Sequence, residues 1–381
     1  MKNIGILSFH AAHNYGSMLQ NFALQQAIKS INPKFEPITI NLRNSAQDDM
    51  YNIFKPFRNY TDKKRYLFKI LMYPWKAEIL SKQNLFEKFL QEKISLTSKV
   101  SKSSDILTLQ GFDACVAGSD QIWNVTAQDF DWAYFLDFLS KKNDTLKIAY
   151  APSMGPAPSD KIISDEDRLK MRRLIKSFDY ISVREKKTAE LIKIIGNLNE
   201  APSICPDPTL LLSKEEWNVS IPTGKQLVEG KYIFLYNPYY LKDVYYQASL
   251  LSKITQLPVV VSNLSPKSII ASIHFIKKLE VGPVEFLNLI KNAEYVIGRS
   301  FHLAVFSMIF NKKFIAVNGM GDSRLGNFLS EIGMESCATN GDNLSDVLDR
   351  INVEDFKSVR NKLLELRIIG REYLNHSLSL L

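Results

Sequence analysis

The two residues with the clearest capacity for chemistry are an arginine and a histidine, each placed just after a predicted buried strand. Arg184 follows the apolar run 180–183, and its planar guanidinium is suited to holding a carboxylate or a phosphate through paired hydrogen bonds. His302 follows the run 295–297 and falls in the first turn of a predicted apolar helix. The free N–H groups and the dipole at a helix start favour an anion, and an imidazole beside a bound anion can exchange a proton near neutral pH. These two residues therefore predict anion binding combined with acid–base chemistry.

Both side chains also have a purely structural interpretation. Arg184 could pair with the adjacent Glu185, and His302 could do no more than hydrogen-bond a neighbouring strand. For His302 the pattern favours neither interpretation. Arg299 and Ser300, which separate the strand from the helix, add a second cation and a residue type typical of helix N-caps.

Further polar side chains follow the predicted strands 4–9, 112–117 and 146–151 in the first half of the chain. In open parallel sheets, ligands bind beyond the carboxyl ends of the strands, so residues after different strands can line one cleft. Trp123 offers a flat ring of the kind suited to sugars, or alternatively it fills the core. The candidates are His10, Asn14, Gly16, Ser17, Ser119, Asp120, Gln121, Trp123 and Ser153. We expect them to face the same cleft as Arg184 and His302.

Strands and helices alternate along the chain in two runs, separated by a segment that contains Pro202, Pro206 and Pro208. Such alternation predicts parallel sheets with right-handed crossovers. We expect an α/β protein with two Rossmann-like domains facing a cleft, a glycosyltransferase B-like arrangement, with a mostly helical insert in the first domain. The predicted domains are 1–205, with the insert at about 45–105, and 206–352. A C-terminal helix in 353–381 is expected to pack back on the first domain.

The insert carries much of the net charge of +8, together with many aromatic residues. Between Ser45 and Val100 there are eleven Lys or Arg residues against six Asp or Glu residues. The interpretation we favour is an ordinary helical insert with packed aromatics and solvated lysines, and contact with a membrane surface is the second. We expect no nucleic-acid partner, because no nucleic-acid-binding motif accompanies the charge.

The sequence lacks the patterns that are typical of disulfide-linked, metal-binding, membrane-spanning and secreted proteins. Cys115, Cys205 and Cys337 lie far apart, and no Cys or His cluster has metal-ligand spacing, so we expect neither disulfides nor a metal site. No apolar run reaches the roughly 20 residues of a membrane helix, and the start of the chain lacks the features of a signal peptide. We therefore expect a soluble, cytoplasmic protein.

Six short segments form a recognisable ordered set: 14–20 (NYGSMLQ), 118–124 (GSDQIWN), 150–155 (YAPSMG), 182–185 (SVRE), 207–209 (DPT) and 300–302 (SFH). The set resembles the polysaccharide pyruvyl transferase family, and the resemblance extends from about residue 5 to about residue 328. It implies an enzyme that transfers a pyruvyl group from phosphoenolpyruvate to a sugar diol, forming a cyclic ketal and releasing phosphate. The acceptor would be a surface polysaccharide or its lipid-linked precursor, which would bring the enzyme to the inner face of the cell membrane.

The resemblance also implies roles for individual residues. Arg184 matches an arginine that binds the donor, and His302 matches a histidine that contacts the donor and acts as an acid. Arg299 and Ser300 join them as donor-binding residues on the C-terminal side, and the polar residues of the first domain become the acceptor-binding set. Phosphoenolpyruvate is then a co-substrate, and no separate cofactor is implied.

Two positions depart from the family's pattern, and two other functions stay open. Ser300 stands where some members have arginine, and Leu303 stands where many have glycine, so the donor pocket is expected to differ in shape. A nucleotide-sugar glycosyltransferase of the same architecture would need a carboxylate for the ribose, and Glu285 and Glu294 are the candidates. A non-catalytic binding subunit would keep the fold without turnover.

Overall fold

Short, apolar strands form the centre of the first sheet, in which all neighbouring strands are parallel. The computed structural model describes residues 1–43, 54, 63–109, 111–139, 144–155, 163–321, 323–340, 344–352 and 356–381. The strand order is β2-β1-β3-β4-β5-β6. The strands are β1 Lys2–Leu7, β2 Phe35–Thr39, β3 Ala114–Ala117, β4 Leu146–Ala149, β5 Tyr180–Val183 and β6 Ser203–Ile204. Every residue of β3 is buried, as expected for a parallel sheet covered on both faces.

The second sheet repeats this construction later in the chain. Its strands are also parallel, in the order β12-β11-β10-β7-β8-β9. They are β7 Ile233–Leu235, β8 Val259–Val261, β9 Ile276–Lys277, β10 Tyr295–Gly298, β11 Lys313–Val317 and β12 Ala338–Thr339. The alternation of strands and helices that the sequence predicts, with two parallel sheets, is therefore confirmed.

The helices connect these strands, and several begin at the cap residues that the sequence provides. Ser213 and Glu216 form a reciprocal capping box at the start of one helix, which satisfies two otherwise unpaired N–H groups. The helices are α1 Tyr15–Ile31, α2 Lys63–Met72, α3 Lys76–Lys93, α4 Asp165–Ile175, α5 Lys186–Gly196, α6 Lys214–Ser220, α7 Lys242–Thr255, α8 Pro283–Asn292, α9 Phe301–Ile309, α10 Ser323–Glu331, α11 Leu344–Asn352 and α12 Lys357–Ser377. Within the described ranges, none of these helices combines the length and the apolar character needed to cross a membrane.

The chain divides into two compact units, and the first contains the first sheet and the end of the chain. It comprises Met1–Asn52, Leu90–Leu212 and Glu365–Leu381. Leu374 and Leu378 of the C-terminal segment join a buried cluster with Ile4 and Ile148 of the sheet. Tyr373 adds a hydrogen bond from its hydroxyl to the carbonyl of Ala149, at 3.0 Å.

The second unit comprises Ile53–Phe89 and Ser213–Leu364, so it takes most of the insert that we expected in the first domain. Met72, at the end of α2, is fully buried in a cluster with Leu264 and Leu279 of the second unit, and Phe68 and Trp75 pack against the same cluster. The insert is thus attached to the first unit by sequence and to the second unit by packing. Its segments 44–53 and 55–62 lie outside the described residues.

Candidate functional site

Polar residues gather beyond the carboxyl ends of the strands in the first unit. Asp120 follows β3 and forms an isolated bridge with Pro152, which follows β4. Arg184 follows β5, and its backbone N–H donates to the carbonyl of Pro152 at 3.2 Å. The ends of three adjacent strands are thereby tied together, and the residues predicted at this edge do lie side by side.

Arg184 is the centre of this edge, and carboxylates surround it. Its Nη1 donates to Asp207 at 3.0 Å and lies 4.0 Å from Asp120, while its Nε donates to Glu185 at 3.4 Å. Asp207 is fully buried and also accepts hydrogen bonds from the backbone N–H and the hydroxyl of Thr209. Burial acts to lower the pKa of Arg184, but Glu185, Asp207 and Asp120 outweigh it and hold that pKa above its usual range. The ion pair with Glu185 exists, and the role of Arg184 toward the donor stays a prediction.

Hydroxyl groups extend the network around these carboxylates. Ser17 donates to Asp120 at 2.7 Å. Ser153 donates to Glu185, which also accepts from Thr188 at 2.7 Å. Ser119 donates to the carbonyl of Ala151 at 2.6 Å. Because Ser17, Ser119 and Ser153 are buried and donate within the protein, their hydroxyls hold the carboxylates and the backbone of the edge in place.

Gly118 allows this close packing of strand ends. Its φ is +140°, in the left-handed region, and a Cβ at this position would lie 1.9 Å from the carbonyl oxygen of Tyr150. Any other residue would push the two loops apart. The following Asp120 also has a positive φ of 71°, which directs the chain sharply after β3.

Other predicted acceptor residues have structural tasks. Asn14 caps α1 by accepting hydrogen bonds from the N–H groups of Gly16 and Ser17. His10 is buried, with its ring nitrogens 3.2 Å from the carbonyl oxygen of Ser8 and 3.1 Å from the side-chain oxygen of Asn41. Gln121 is half-buried beside these residues, and its N–H donates to the Asp120 carboxylate at 2.9 Å.

Trp123 belongs to the core, which corrects its assignment as an acceptor-binding residue. Its side chain is completely buried, and its ring stacks on Phe135 at a centroid distance of 4.8 Å. Its indole N–H donates to the carbonyl of Tyr134 at 3.0 Å. Because the indole ring of Trp123 is completely covered, no sugar can stack on it, and Trp123 fills the core.

The second unit presents a different edge, centred on the turn from β10 into α9. A Cβ at Gly298 would lie 2.2 Å from the carbonyl oxygen of Tyr236, so only glycine lets β10 and β7 approach this closely. The backbone N–H of Arg299 then donates to the side chain of Asn237, just after β7, at 3.2 Å. The turn is fixed by its neighbour strand, which positions Arg299, Ser300 and His302 in sequence along the edge.

Arg299, Ser300 and His302 are all half-exposed, in contrast to Arg184. Ser300 occupies the N-cap position of α9, but its side chain makes no capping hydrogen bond. Nη2 of Arg299 lies 3.6 Å from the position a Cβ would take at Gly321, beyond the end of the neighbouring β11. Within the described part of the chain, Arg299 forms no ion pair. The rest of α9 from Leu303 onward is buried, as its apolar sequence predicts.

The insert contributes a lysine to this edge, which the sequence patterns did not single out. Lys82 of α3 is half-buried, and its ammonium donates to the carbonyl of Ser262, just after β8, at 3.2 Å. Burial lowers the pKa of Lys82 to about 8. Asn263 then donates to the carbonyls of Asn237 and Pro238, at 3.3 and 3.2 Å. Because β7 lies between β8 and β10, cationic groups stand at both ends of a row of three neighbouring strand ends.

The candidates that a nucleotide-sugar enzyme would need have other partners. Glu285 accepts from the N–H of Gly282 at 2.9 Å and so caps α8. Glu294 pairs with Lys231 and Lys313, each at 3.3 Å, and it precedes β10 at the amino end of the sheet. Among the described residues, no group of His, Cys, Asp and Glu side chains is arranged to hold a metal ion. Arg184 and His302 belong to different units, so the prediction that they face one cleft stays a prediction.

Solved structures of low sequence identity share this fold. Trehalose-6-phosphate synthase OtsA is 9% identical with a TM-score of 0.53, and the match covers 99% of this chain and 97% of that chain. The UDP-GlcNAc 2-epimerase from Neisseria meningitidis bound to UDP-GlcNAc is 10% identical with a TM-score of 0.50, covering 98% and 94% of the two chains. These likenesses confirm the predicted glycosyltransferase B-like fold class and show the fold alone.

Comparison at the level of sequence is more specific. No curated protein sequence matches the chain significantly. The family model of the polysaccharide pyruvyl transferases, however, matches residues 14–319, which include all six of the segments singled out above. With most of its length matched in this way, the chain belongs to the polysaccharide pyruvyl transferase family.

Proposed function

We propose that this transferase moves the pyruvyl group of phosphoenolpyruvate to two hydroxyls of a saccharide, forming a cyclic ketal and releasing phosphate. The observation that carries the proposal is the edge of the second sheet. Arg299 follows β10, Lys82 contacts the residue after β8, and only β7 lies between these strands, while His302 lies in the first turn of the buried helix α9. Phosphoenolpyruvate carries a carboxylate and a phosphate, and such an anion needs cationic groups and free N–H donors.

The chemistry assigns a proton to His302. Its imidazolium protonates the methylene carbon of the donor, which leaves an oxocarbenium-like centre at the adjacent carbon. One sugar hydroxyl attacks that carbon, the carbon–oxygen bond to phosphate breaks, and the second hydroxyl attacks the same carbon. Of the two protons that the hydroxyls lose, one restores the imidazolium of His302 and the other goes to the departing phosphate. The products are a ketal that carries a methyl and a carboxylate, and inorganic phosphate. Arg299 and Lys82 stabilise the donor's negative charge through the first step.

The edge of the first unit suits the acceptor in this proposal. Asp120 and Gln121 offer a carboxylate and an amide to a sugar, and the carboxylate can accept a proton from a sugar hydroxyl. The hydroxyls of Ser17, Ser119 and Ser153 are buried and donate within the protein, so these three residues organise the edge and do not bind the acceptor directly. A surface polysaccharide or its lipid-linked precursor fits the family name. Arg184 enters as the donor contact that the resemblance implies, with Asp207 fixing its orientation.

The alternative is a nucleotide-sugar glycosyltransferase, and the likeness to an epimerase bound to UDP-GlcNAc is consistent with it. It is less well supported, because Glu285 and Glu294 are engaged in a helix cap and in ion pairs. A third alternative is a binding subunit without turnover.

One assay separates these functions. Purified protein is incubated with phosphoenolpyruvate and a panel of saccharides, and phosphate release is followed together with the ketal methyl signal in the proton NMR spectrum. We expect phosphate release only when a suitable diol is present, with one ketal methyl formed per phosphate. Hydrolysis of a nucleotide sugar in the same panel, with phosphoenolpyruvate left intact, would contradict the proposal.

A further inference from the structure

The insert presents a large apolar surface that nothing in the described residues covers. Its residues are Tyr66, Leu67, Ile70 and Leu71 of α2 and Tyr73 of the turn that follows, with exposed fractions between 43% and 66%. Residues 66, 70 and 73 follow helical spacing, as do 67 and 71, so these side chains share one face. We call this set the apolar face. Exposed large apolar side chains grouped in this way mark an interaction surface rather than ordinary scatter.

The opposite side of the same helix explains why the apolar face is rigidly held. Met72 is completely buried against Leu264 and Leu279, and Phe68 and Trp75 pack on the same cluster. An ordinary surface helix buries its one apolar stripe and leaves the other side polar. Here one apolar stripe anchors the helix to the second unit, and a second apolar stripe faces outward.

A second segment, distant in sequence, presents apolar side chains from the same cluster. Ile269 packs against the cluster that holds Met72. The adjacent Ile270 is 83% exposed, and Ile273 is 67% exposed. The outward apolar residues therefore come from two segments about 200 residues apart that pack on one shared core.

The charge around both segments selects the occupant. Residues 63–77 contain five Lys or Arg residues and no Asp or Glu, and residues 265–279 contain three Lys residues and no Asp or Glu. The ammonium of Lys76 lies 5.6 Å from the ring centroid of Tyr73, so cation and aromatic stand together at this surface. A second copy of the chain would place two basic surfaces against each other, which is unfavourable, whereas anionic lipid headgroups would neutralise the charge.

We propose that the apolar face docks on the surface of a membrane that contains anionic lipids. Its aromatic and aliphatic side chains enter the interface between headgroups and acyl chains, and the surrounding lysines contact the headgroups, so that the protein lies on the bilayer without crossing it. The surface is built from the second unit's own packing, and the inference does not depend on the identity of the donor or on pyruvyl transfer.

The test is co-sedimentation of the full-length protein with lipid vesicles. One set of vesicles is pure phosphatidylcholine, and the other is an equimolar mixture of phosphatidylcholine and phosphatidylglycerol. We expect the protein to pellet with the mixed vesicles and to stay largely in solution with the neutral ones. Binding to the mixed vesicles should weaken at high salt, because salt screens the attraction between lysines and headgroups.

Matched variants assign the binding to the surface. The double variant Leu67→Glu, Ile70→Glu should lower the partition coefficient about tenfold or more, since it places two carboxylates against the headgroups. Ile194→Glu changes an isoleucine of α5 that is 59% exposed in the first unit, and it should bind like the unmodified protein. All variants should keep the same melting temperature, because the altered side chains are exposed.

Three outcomes would overturn the inference. They are failure to bind the mixed vesicles, equal binding by the double variant, and a change from dimer to monomer in the double variant, which would assign the apolar face to a second copy of the chain. Phosphate release with a water-soluble acceptor should be the same in the double variant and the unmodified protein. Vesicle binding therefore tests the membrane-docking proposal, and phosphate release tests the proposed reaction independently of it.

Discussion

The carboxyl edges of the two sheets have the same topological position and opposite electrostatics. In the first unit, one arginine is enclosed by three carboxylates, Asp120, Glu185 and Asp207, and hydroxyl groups complete the network. In the second unit, Arg299 follows β10, Lys82 contacts the residue after β8, and Asn237 holds the backbone of Arg299 by a hydrogen bond. Parallel sheets thus supply a place for ligands, while the loop residues decide which ligand is suited to that place.

Arg184 of the first edge and Lys82 of the second differ in how their charges are stabilised. The carboxylates around Arg184 hold its pKa above the usual range despite burial. Burial lowers the pKa of Lys82 to about 8. The charge of Arg184 is therefore stabilised by carboxylates of the protein, whereas burial disfavours the charge of Lys82, and an anion bound beside that ammonium would favour it. In our proposal the second edge supplies the main contacts to the anionic donor and the first edge those to the hydroxyl-rich acceptor, with Arg184 as the donor contact that the resemblance implies.

Replacement of His302 should have the largest effect. We expect His302→Ala to lower kcat about 10²- to 10⁴-fold, because a positioned general acid contributes on that order. The melting temperature should not change, since the side chain is half-exposed. His274→Ala, which alters an exposed histidine of the same unit, is the control and should retain activity. Full turnover in His302→Ala would show that His302 is not the general acid.

Removal of the buried partner of Arg184 should act on stability. Asp207→Asn leaves Arg184 buried without its closest carboxylate, and such a change costs about 3–5 kcal/mol of unfolding free energy. The matched control is Asp113→Asn, which breaks the partly exposed pair with Lys2 at 3.0 Å and should cost no more than about 1 kcal/mol. Chemical denaturation measures both variants. Similar losses in the two would show that the first edge is not organised around Asp207.

A further effect concerns Lys82 and is visible in the pH dependence of stability. Its pKa is about 8 in the folded protein and 10.5 in the unfolded chain, so the unfolded state binds more protons between these values. Stability should therefore rise with pH across this window, and Lys82→Met should reduce that rise. Denaturation at the two ends of the window, with Lys88→Met on the exposed side of α3 as control, measures the difference. Equal slopes in Lys82→Met and the unmodified protein would mean that the ammonium is not buried.

The sequence predicts the elements whose signals are local. The apolar runs before Arg184 and Arg299 are strands β5 and β10, and the apolar helix after Ser300 is buried. The hydroxyl of Ser300 was expected to cap that helix and does not, because N-cap preference describes a position and not a particular hydrogen bond. Trp123 had two interpretations at the sequence level, and only its packing on Phe135 decides between them.

Tertiary contacts account for what the sequence did not predict. The insert lies between β2 and β3 along the chain, and its attachment to the second unit depends on Met72 meeting Leu264 and Leu279, about 200 residues away. Lys82 was missed for the same reason, because one lysine in a charged insert has no local feature that marks its bond to Ser262. Asp207 could have been found, since it stands in one of the six ordered segments and adjoins two prolines.

We propose that the edge of the second sheet binds the anionic donor, and calorimetric titration with phosphoenolpyruvate measures that binding. We predict measurable binding to the unmodified protein and a loss of affinity of about tenfold or more in Arg299→Ala, the equivalent of one charged hydrogen bond. Asp120→Asn, which alters the first edge, should leave the affinity unchanged or slightly improved. Unchanged affinity in Arg299→Ala together with a large loss in Asp120→Asn would show that the donor does not bind at the second edge.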